Sequence, residues 1–107
     1  MSHATIYDAP AAEMYALIGR IAQTCNKVSG ALFDLLDTES DEARRTAVRD
    51  ADHVATSLYF SLNLTPTGET VIASRPRLDA LRASVAALGL HDLVALLDDA
   101  CADAARF

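Results

Sequence analysis

An apolar heptad repeat in the first third of the chain constrains the fold more than any other feature. Seven apolar side chains recur there alternately four and three positions apart, the spacing at which helices pack at shallow angles in bundles. We therefore predict a bundle helix over residues 10–36, capped by Asp8 and with Pro10 in its first turn. The seam consists of Met14, Ile18, Ile21, Cys25, Val28, Leu32 and Leu35, and it is flanked by Leu17, Phe33 and Leu36.

Apolar spacing predicts three further helices, over residues 40–63, 75–88 and 91–106. The acidic connection after the first helix contains Thr38 and Ser40, and either of them can cap the second helix. The seam of the second helix is rich in alanine, which predicts a closely packed partner helix. That seam consists of Ala47, Ala51, Val54, Leu58 and Leu62, with Val48, Ala55 and Tyr59 beside it.

The conformation of residues 64–75 stays open between helix, loop and hairpin. Alternating apolar residues followed by the turn signal TPTG favour a hairpin. The unbroken helical seam and the marginal stability of a lone hairpin favour a helix as far as Asn63. Pro76 then either starts the third helix or kinks one that began near Glu69. Gly89 is a natural stop for that helix.

The composition agrees with a single helical domain. At 107 residues the chain has room for one domain. It contains only three prolines and four glycines while 51% of its residues are apolar, which favours a helical core over disorder. Four helices joined by short turns predict an all-α fold, an antiparallel up-and-down four-helix bundle over residues 1–107. A short N-terminal arm is compatible with this architecture.

The acidic charge of the chain excludes several classes of partner. Nine basic residues against fifteen acidic ones give a net charge of −6. No basic face is therefore available to bind nucleic acid or an anionic membrane surface. No apolar stretch approaches the length of a membrane span, and the first ten residues do not resemble a secretory signal. We expect a cytoplasmic protein.

No motif predicts an enzyme, a cofactor or a metal site. Cys25 and Cys101 occupy apolar helical positions, which predicts reduced thiols in the cytoplasm. The three histidines lie far apart in the sequence, and no Cys/His spacing is typical of zinc. The adjacent carboxylates Asp98 and Asp99 would need a pocket that separates their pKa values to act in acid–base catalysis. We interpret them as part of a solvated surface.

His53 supports a more specific hypothesis. It lies in the middle of the second predicted helix and is followed by the small residues Ala55, Thr56 and Ser57. Histidine phosphotransfer domains expose such a histidine on a four-helix bundle. Those domains usually carry lysine and glycine where this chain has Thr56 and Ser57, and Asp52 would repel an incoming phosphoryl group. Phosphotransfer through His53 therefore stays an alternative to a surface histidine without a function.

Apolar residues outside the main seams exceed what one small bundle needs to bury. Tyr15, Phe60, Leu64 and Ile72 are examples, and surplus apolar grooves on a bundle commonly receive a partner helix. We therefore predict a non-enzymatic bundle, monomeric or homodimeric, that binds an amphipathic segment of another protein. A scaffold whose grooves serve only homo-oligomerisation is a further alternative. The predicted partner-binding residues are Val54, Leu58, Leu62, Val71, Leu78, Leu81 and Val85.

The centre of the chain resembles the FliS-type flagellar export chaperones. Their second helix typically reads A-x-x-I-x-x-x-L-x-x-S-L-N and is followed by a short turn and G-G-E/D. The matching residues are Ala51, Val54, Leu58, Ser61, Leu62 and Asn63, then Thr67, Gly68 and Glu69. The ends of the family's chains resemble Ile6-Tyr7, Ala9-Pro10 and Phe107.

The resemblance implies a small cytosolic helical bundle that holds the C-terminal segment of flagellin, or of a related secretion substrate, before export. Holding that segment would prevent premature polymerisation. The chain diverges from the family in the third helix. Of the family motif N-L-x-x-L-Y-D it keeps only the aspartate, as Asp79, while Leu78 replaces the tyrosine and Pro76 interrupts the motif.

Overall fold

Four helices make up the part of the chain that the structure describes. The computed structural model describes residues 11–107, so the expected helix cap at Asp8 and any N-terminal arm lie outside the described residues. The helices are α1 (Ala11–Leu35), α2 (Glu42–Leu64), α3 (Gly68–Ala87) and α4 (His91–Ala104). No strand occurs within residues 11–107, so the hairpin considered for residues 64–75 is wrong.

Consecutive helices run antiparallel around one core. Ser29 of α1 meets Thr56 of α2, while the carbonyl of Leu36, further along the chain, meets Arg45 near the start of α2. Residue numbers therefore increase along α1 in the direction in which they decrease along α2, so the two helices are antiparallel. Helix α3 packs against α2, and α4 packs against both α3 and α1. The predicted all-α, antiparallel four-helix bundle is confirmed.

The seam of α1 lies at the centre of the core, as predicted. The two residues at its ends, Met14 and Leu35, are half-buried and the five between them are buried. Each fully buried aliphatic side chain stabilises the fold by roughly 1.5–3 kcal/mol. Of the flanking residues, Leu17 is buried, whereas Phe33 is 62% exposed and adds nothing to the core. The fully buried seam residues are Ile18, Ile21, Cys25, Val28 and Leu32.

The buried stripe of α2 lies between the two stripes that the sequence predicts. Ala47 is exposed and Val54 is half-buried, so these two residues of the predicted seam lie beside the side of α2 that faces the core. The helix is capped by Asp41, whose carboxylate accepts a backbone N–H at 2.8 Å, and not by Thr38 or Ser40. An aspartate also complements the positive end of the helix dipole. The buried residues are Val48, Ala51, Ala55, Leu58 and Leu62.

Helix α3 begins at Gly68, well before residue 75 and next to Glu69, the alternative start that the sequence left open. Thr67 caps it, because its hydroxyl accepts the backbone N–H of Thr70 at 3.2 Å. The first two turns place Gly68, Val71 and Ser74 against the core. Ser74 is buried but satisfied, since its hydroxyl donates to the carbonyl of Thr70 at 2.7 Å. A glycine and a serine at core positions leave this part of the helix without a clear apolar pattern.

Pro76 lies inside α3 without ending it. Proline has no N–H, so the carbonyl of Ile72 loses its helical partner. Both residues lie on the exposed side of the helix, where water can replace that bond. At the other end, Gly89 has a φ of 75°, a left-handed conformation that glycine adopts without a clash. The N–H of Leu90 bonds back to the carbonyl of Val85 at 3.3 Å, so Gly89 ends α3 as predicted.

Arginines from neighbouring helices balance the acidic second half of α4. Arg20 of α1 donates to both carboxylate oxygens of Asp103 at 2.8 Å, and Arg82 of α3 binds Asp98. The last turn of α4 carries no basic residue of its own. Arg20 therefore brings positive charge to the last turn of α4, where the helix dipole favours it, and Arg82 neutralises a carboxylate in the middle of the helix.

The carbonyl ends of three helices also receive arginine side chains. None of the four helices carries a basic residue in its last turn. Arg45 of α2 donates to two carbonyls that follow α1, and Arg44 donates to the carbonyl at the end of α3 at 2.8 Å. Arg75 of α3 donates to the last carbonyl of α4 at 3.1 Å. Each of these three helix ends is thereby tied to another helix.

Truncation of a buried leucine should destabilise the bundle far more than truncation of an exposed one. Leu58 is fully buried and Leu64 is 81% exposed, and both lie on α2. We expect Leu58→Ala to lower the free energy of unfolding by about 2–5 kcal/mol. We expect Leu64→Ala to change it by no more than about 0.5 kcal/mol. Urea unfolding followed by circular dichroism measures both free energies of unfolding. Equal losses for the two variants would contradict the burial of Leu58 in the core.

Removal of the Arg45 guanidinium should destabilise the end of α1. Arg45→Met keeps the apolar stem but leaves two carbonyls without their charged donor, so we expect a loss of about 1–3 kcal/mol in urea unfolding. The matched control is Arg49→Met, one turn further along α2, where the side chain is exposed. If Arg49→Met lowered the free energy of unfolding as much as Arg45→Met, the loss would come from removing a positive charge from the protein and not from the contacts of Arg45 with the two carbonyls.

Candidate partner-binding site

An apolar groove of about 430 Å³ lies between α2 and α3. Helix α2 contributes residues at positions 47, 51 and 54, and α3 contributes residues at positions 80, 84 and 87. Each set recurs four and then three positions apart, so each forms one stripe along its helix. The two stripes face each other. The groove is lined by Ala47, Asp50, Ala51, Val54, Ala80, Leu81, Ser84, Ala87 and Leu88.

Short side chains create this groove. Alanine and serine reach only a short distance from the backbone, so two helices that carry them at facing positions leave space between their outer edges. Val54 and Leu81 form the apolar floor below the alanines. The alanine-rich seam of α2 led us to expect a closely packed helix, but at Ala47 the structure has an open groove instead.

Arginine side chains cross from one helix to the other at both ends of the groove. Beyond Val54, Arg77 of α3 donates to the hydroxyl of Ser57 at 3.0 Å. At the opposite end, Arg44 of α2 donates to the carbonyl of Leu88 at 2.8 Å. These hydrogen bonds fix the separation of α2 and α3. Between them, the open stretch from Ala47 to Val54 is about 11 Å long, which is two turns of helix.

Only two of the seven predicted partner-binding residues line this groove. They are Val54, which is half-buried, and Leu81, which is buried in the floor. The other five are buried in the core and do not line this groove. Those five are Leu58, Leu62, Val71, Leu78 and Val85. The sequence analysis did not predict Ala80 and Ala87 of α3 as binding residues, because it selected large apolar side chains.

A second depression, of about 440 Å³, lies where the α3–α4 turn meets the last turn of α1. Leu35, Leu90 and Leu93 provide its apolar lining, together with His91 and Asp92. The turn and the first residues of α4 form most of this surface. It therefore lacks the two parallel walls that would hold a helix, and we favour the α2–α3 groove as the binding site.

A hydrogen-bonded cluster joins α1 to α2 on the opposite side of α2 from the groove. The carboxylate of Asp52 accepts from Ser29 at 2.5 Å and from Thr56 at 3.3 Å, and the two hydroxyls lie 2.9 Å apart. All three side chains are partly buried. Asp50 faces the groove instead. The two carboxylates therefore do not share a pocket, and the cluster fixes how α1 packs on α2.

His53 lies exposed on α2. The neighbouring Asp52 turns away from it to bind Ser29. Exposure is necessary for phosphotransfer but not specific to it, so the role of His53 stays a hypothesis. Within residues 11–107, no group of three or more His, Cys, Asp or Glu residues is arranged to hold a metal ion. No helix in the same range has the length and apolar character that crossing a membrane requires.

Searches against family models, curated proteins and solved structures find no match to this chain. The resemblance to the FliS-type chaperones therefore stays a prediction from the motif in α2. The groove and its residues are the observations on which a function can be argued.

Both cysteines are free thiols in environments that disfavour the thiolate. Burial raises the pKa of Cys25 from 9.0 to about 12. Burial also raises the pKa of Cys101 to about 11, and a hydrogen bond to Asp79 adds to this effect. Since the thiolate is the nucleophile, neither side chain is suited to nucleophilic catalysis.

The cysteine pKa values predict the pH dependence of stability. The folded state holds these protons more tightly than the unfolded state, whose thiols titrate near 9.0. Stability should therefore be insensitive to the thiols below that pH and should fall as the pH rises from 9 toward 12. Urea unfolding between about pH 7 and about pH 10.5 measures this loss. Cys25→Ala should reduce the slope of the free energy of unfolding against pH. An unchanged slope would contradict the assignment of this pH dependence to Cys25.

Proposed function

We propose that this protein is a non-enzymatic helical bundle that binds an amphipathic helical segment of another protein in the α2–α3 groove. The observation that supports this proposal is the shape and lining of the groove. It has an apolar floor and alanine walls, and it is held open by arginine contacts at both ends. Helix-in-groove recognition requires such a surface, because the apolar face of the incoming helix must replace water along it.

The lining of the groove indicates what the partner segment should look like. Its small wall residues leave room for large apolar side chains, so the segment should carry leucine, isoleucine or phenylalanine three or four positions apart. Asp50 is the acidic residue of the lining. A lysine or arginine beside the apolar stripe would complement it, and the net charge of −6 would speed the approach of a basic segment.

The resemblance to the FliS-type export chaperones suggests one partner. Its motif covers Ala51 to Glu69, and two of the groove residues, Ala51 and Val54, lie within it. On this proposal the protein acts in the cytoplasm and binds the C-terminal segment of flagellin or of a related export substrate. Burial of the segment's apolar face would keep it from polymerising before export.

The proposal is tested by titrating the isotope-labelled protein with a synthetic peptide, the C-terminal segment of flagellin from the same organism. We expect saturable shifts of the backbone amide signals of Ala47, Ala80 and Ser84, and a gain of helix in the peptide by circular dichroism. Ala80→Glu should weaken binding at least about tenfold, because it places a charge on the apolar wall.

The matched control is Ala86→Glu, which introduces the same charge at an exposed position of α3 outside the groove lining, two positions from Ser84 and therefore on the other side of the helix. It should bind the peptide as the unmodified protein does. Equal weakening by both variants would show that the groove is not the binding site. No binding at a peptide concentration of about 1 mM would exclude flagellin as the partner.

A further inference from the structure

The charged residues of α1 all lie on one line along the helix. They are Glu13, Arg20, Lys27 and Asp34, each seven positions after the one before. Heptad spacing keeps these residues on one side of the helix. The rest of the exposed surface of α1 therefore carries no charge, which is unusual in a chain with 24 charged residues, nine basic and fifteen acidic.

The second half of α2 is uncharged as well. From Val54 to Leu64 the helix has no acidic or basic residue. Phe60 and Leu64 lie four positions apart, so they share one side of the helix, and they are 55% and 81% exposed. Two large apolar side chains are thus presented to solvent next to each other.

Antiparallel packing brings these two uncharged stretches together. Ser29 and Thr56 meet between α1 and α2. Phe60 and Asn63 lie four and seven positions after Thr56, so they share its side of α2. On α1, Asn26 lies one turn before Ser29, and Gly19 and Tyr15 follow toward the start of the helix at spacings of seven and four. We call the resulting surface the neutral face. Its exposed residues are Tyr15, Gly19, Gln23 and Asn26 of α1 and Phe60, Asn63 and Leu64 of α2.

The neutral face contains both projecting and recessed positions. Tyr15 is 54% exposed and projects from α1 in the same way that Phe60 projects from α2. Gly19 is exposed, and a Cβ atom added to it would meet nothing within 4 Å. Glycine in an exposed helix destabilises the helix relative to alanine. Nothing in the fold of the monomer requires glycine there, whereas a recess is useful to a large side chain that approaches from outside.

We propose that the neutral faces of two copies of this chain pack together as a two-fold dimer. A two-fold interface uses the same surface on both copies, so that surface must carry both the projecting and the recessed residues. The neutral face does so, and Phe60 of one copy can enter the recess at Gly19 of the other. Two molecules with a net charge of −6 repel each other, and this face brings them together without opposing like charges.

The size of the neutral face predicts a weak dimer. It is about 17 Å long from Tyr15 to Asn26 and about 18 Å wide, given a rise of about 1.5 Å per residue and helices about 9 Å apart. Its footprint of about 300 Å² is below the roughly 800 Å² that each partner buries in a standard stable complex. The dimer should therefore dissociate on dilution. The α2–α3 groove lies on the other side of α2 and stays free to bind its own partner.

Analytical ultracentrifugation from about 10 µM to about 1 mM tests the proposal. We expect the average mass to rise from 11.4 kDa toward twice that value. Phe60→Glu should raise the dissociation constant at least about tenfold, because it places two like charges at the interface. The matched control is Phe33→Glu, which alters a similarly exposed phenylalanine of α1 that lies beside Asp34, two turns beyond Asn26 and outside the neutral face. It should leave the dissociation constant within about twofold.

Gly19→Gln separates dimerisation from folding. Glutamine favours the helix over glycine, so the variant should unfold at a higher temperature than the unmodified protein. It should also dimerise at least about tenfold more weakly, because its side chain fills the recess. A protein that stays monomeric at about 1 mM would overturn the proposal. Equal effects of Phe60→Glu and Phe33→Glu, or undiminished dimerisation of Gly19→Gln, would overturn it as well.

Discussion

The packing of α1 on α2 determines where the other surfaces of the molecule lie. The carboxylate of Asp52 holds Ser29 and Thr56 in a partly buried cluster between the two helices. A partly buried carboxylate that lost these donors would be costly to desolvate, so rotation or sliding of α2 is penalised. With α2 fixed in this way, Val54 and Ala47 face α3 and line the groove, while Phe60 remains on the outside.

Arginine side chains then join the helices at their ends. Because no helix has a basic residue in its own last turn, the partial negative charge of each carbonyl end is available to other elements. Arg44, Arg45 and Arg75 bind three of these ends across helix boundaries. The same contacts that stabilise the bundle also define the ends of the groove. Arg44 therefore both stabilises the bundle and bounds the candidate binding site.

Large parts of the fold follow from the sequence. The seam of α1 faces the core as its spacing predicts, with its five middle residues buried and its two end residues half-buried, because apolar side chains at heptad positions leave water together when that side of the helix packs. Gly89 ends α3, because only glycine adopts its left-handed backbone conformation without a clash. The start of α3 was not predictable from hydropathy, because Gly68 and Ser74 occupy core positions there. Ser74 is tolerated only because a carbonyl of its own helix accepts its hydroxyl.

The sequence by itself determined the helical class of the fold, the number of helices and the burial of α1, because these depend on local spacing. It could not determine which apolar residues of α2 and α3 would remain accessible. Leu58 and Val54 are four positions apart on α2, yet one is fully buried and the other lines the groove. That difference arises only when α3 packs at a particular distance and angle. Tertiary structure also brought the uncharged parts of α1 and α2 together, since this result depends on contacts between residues distant in sequence.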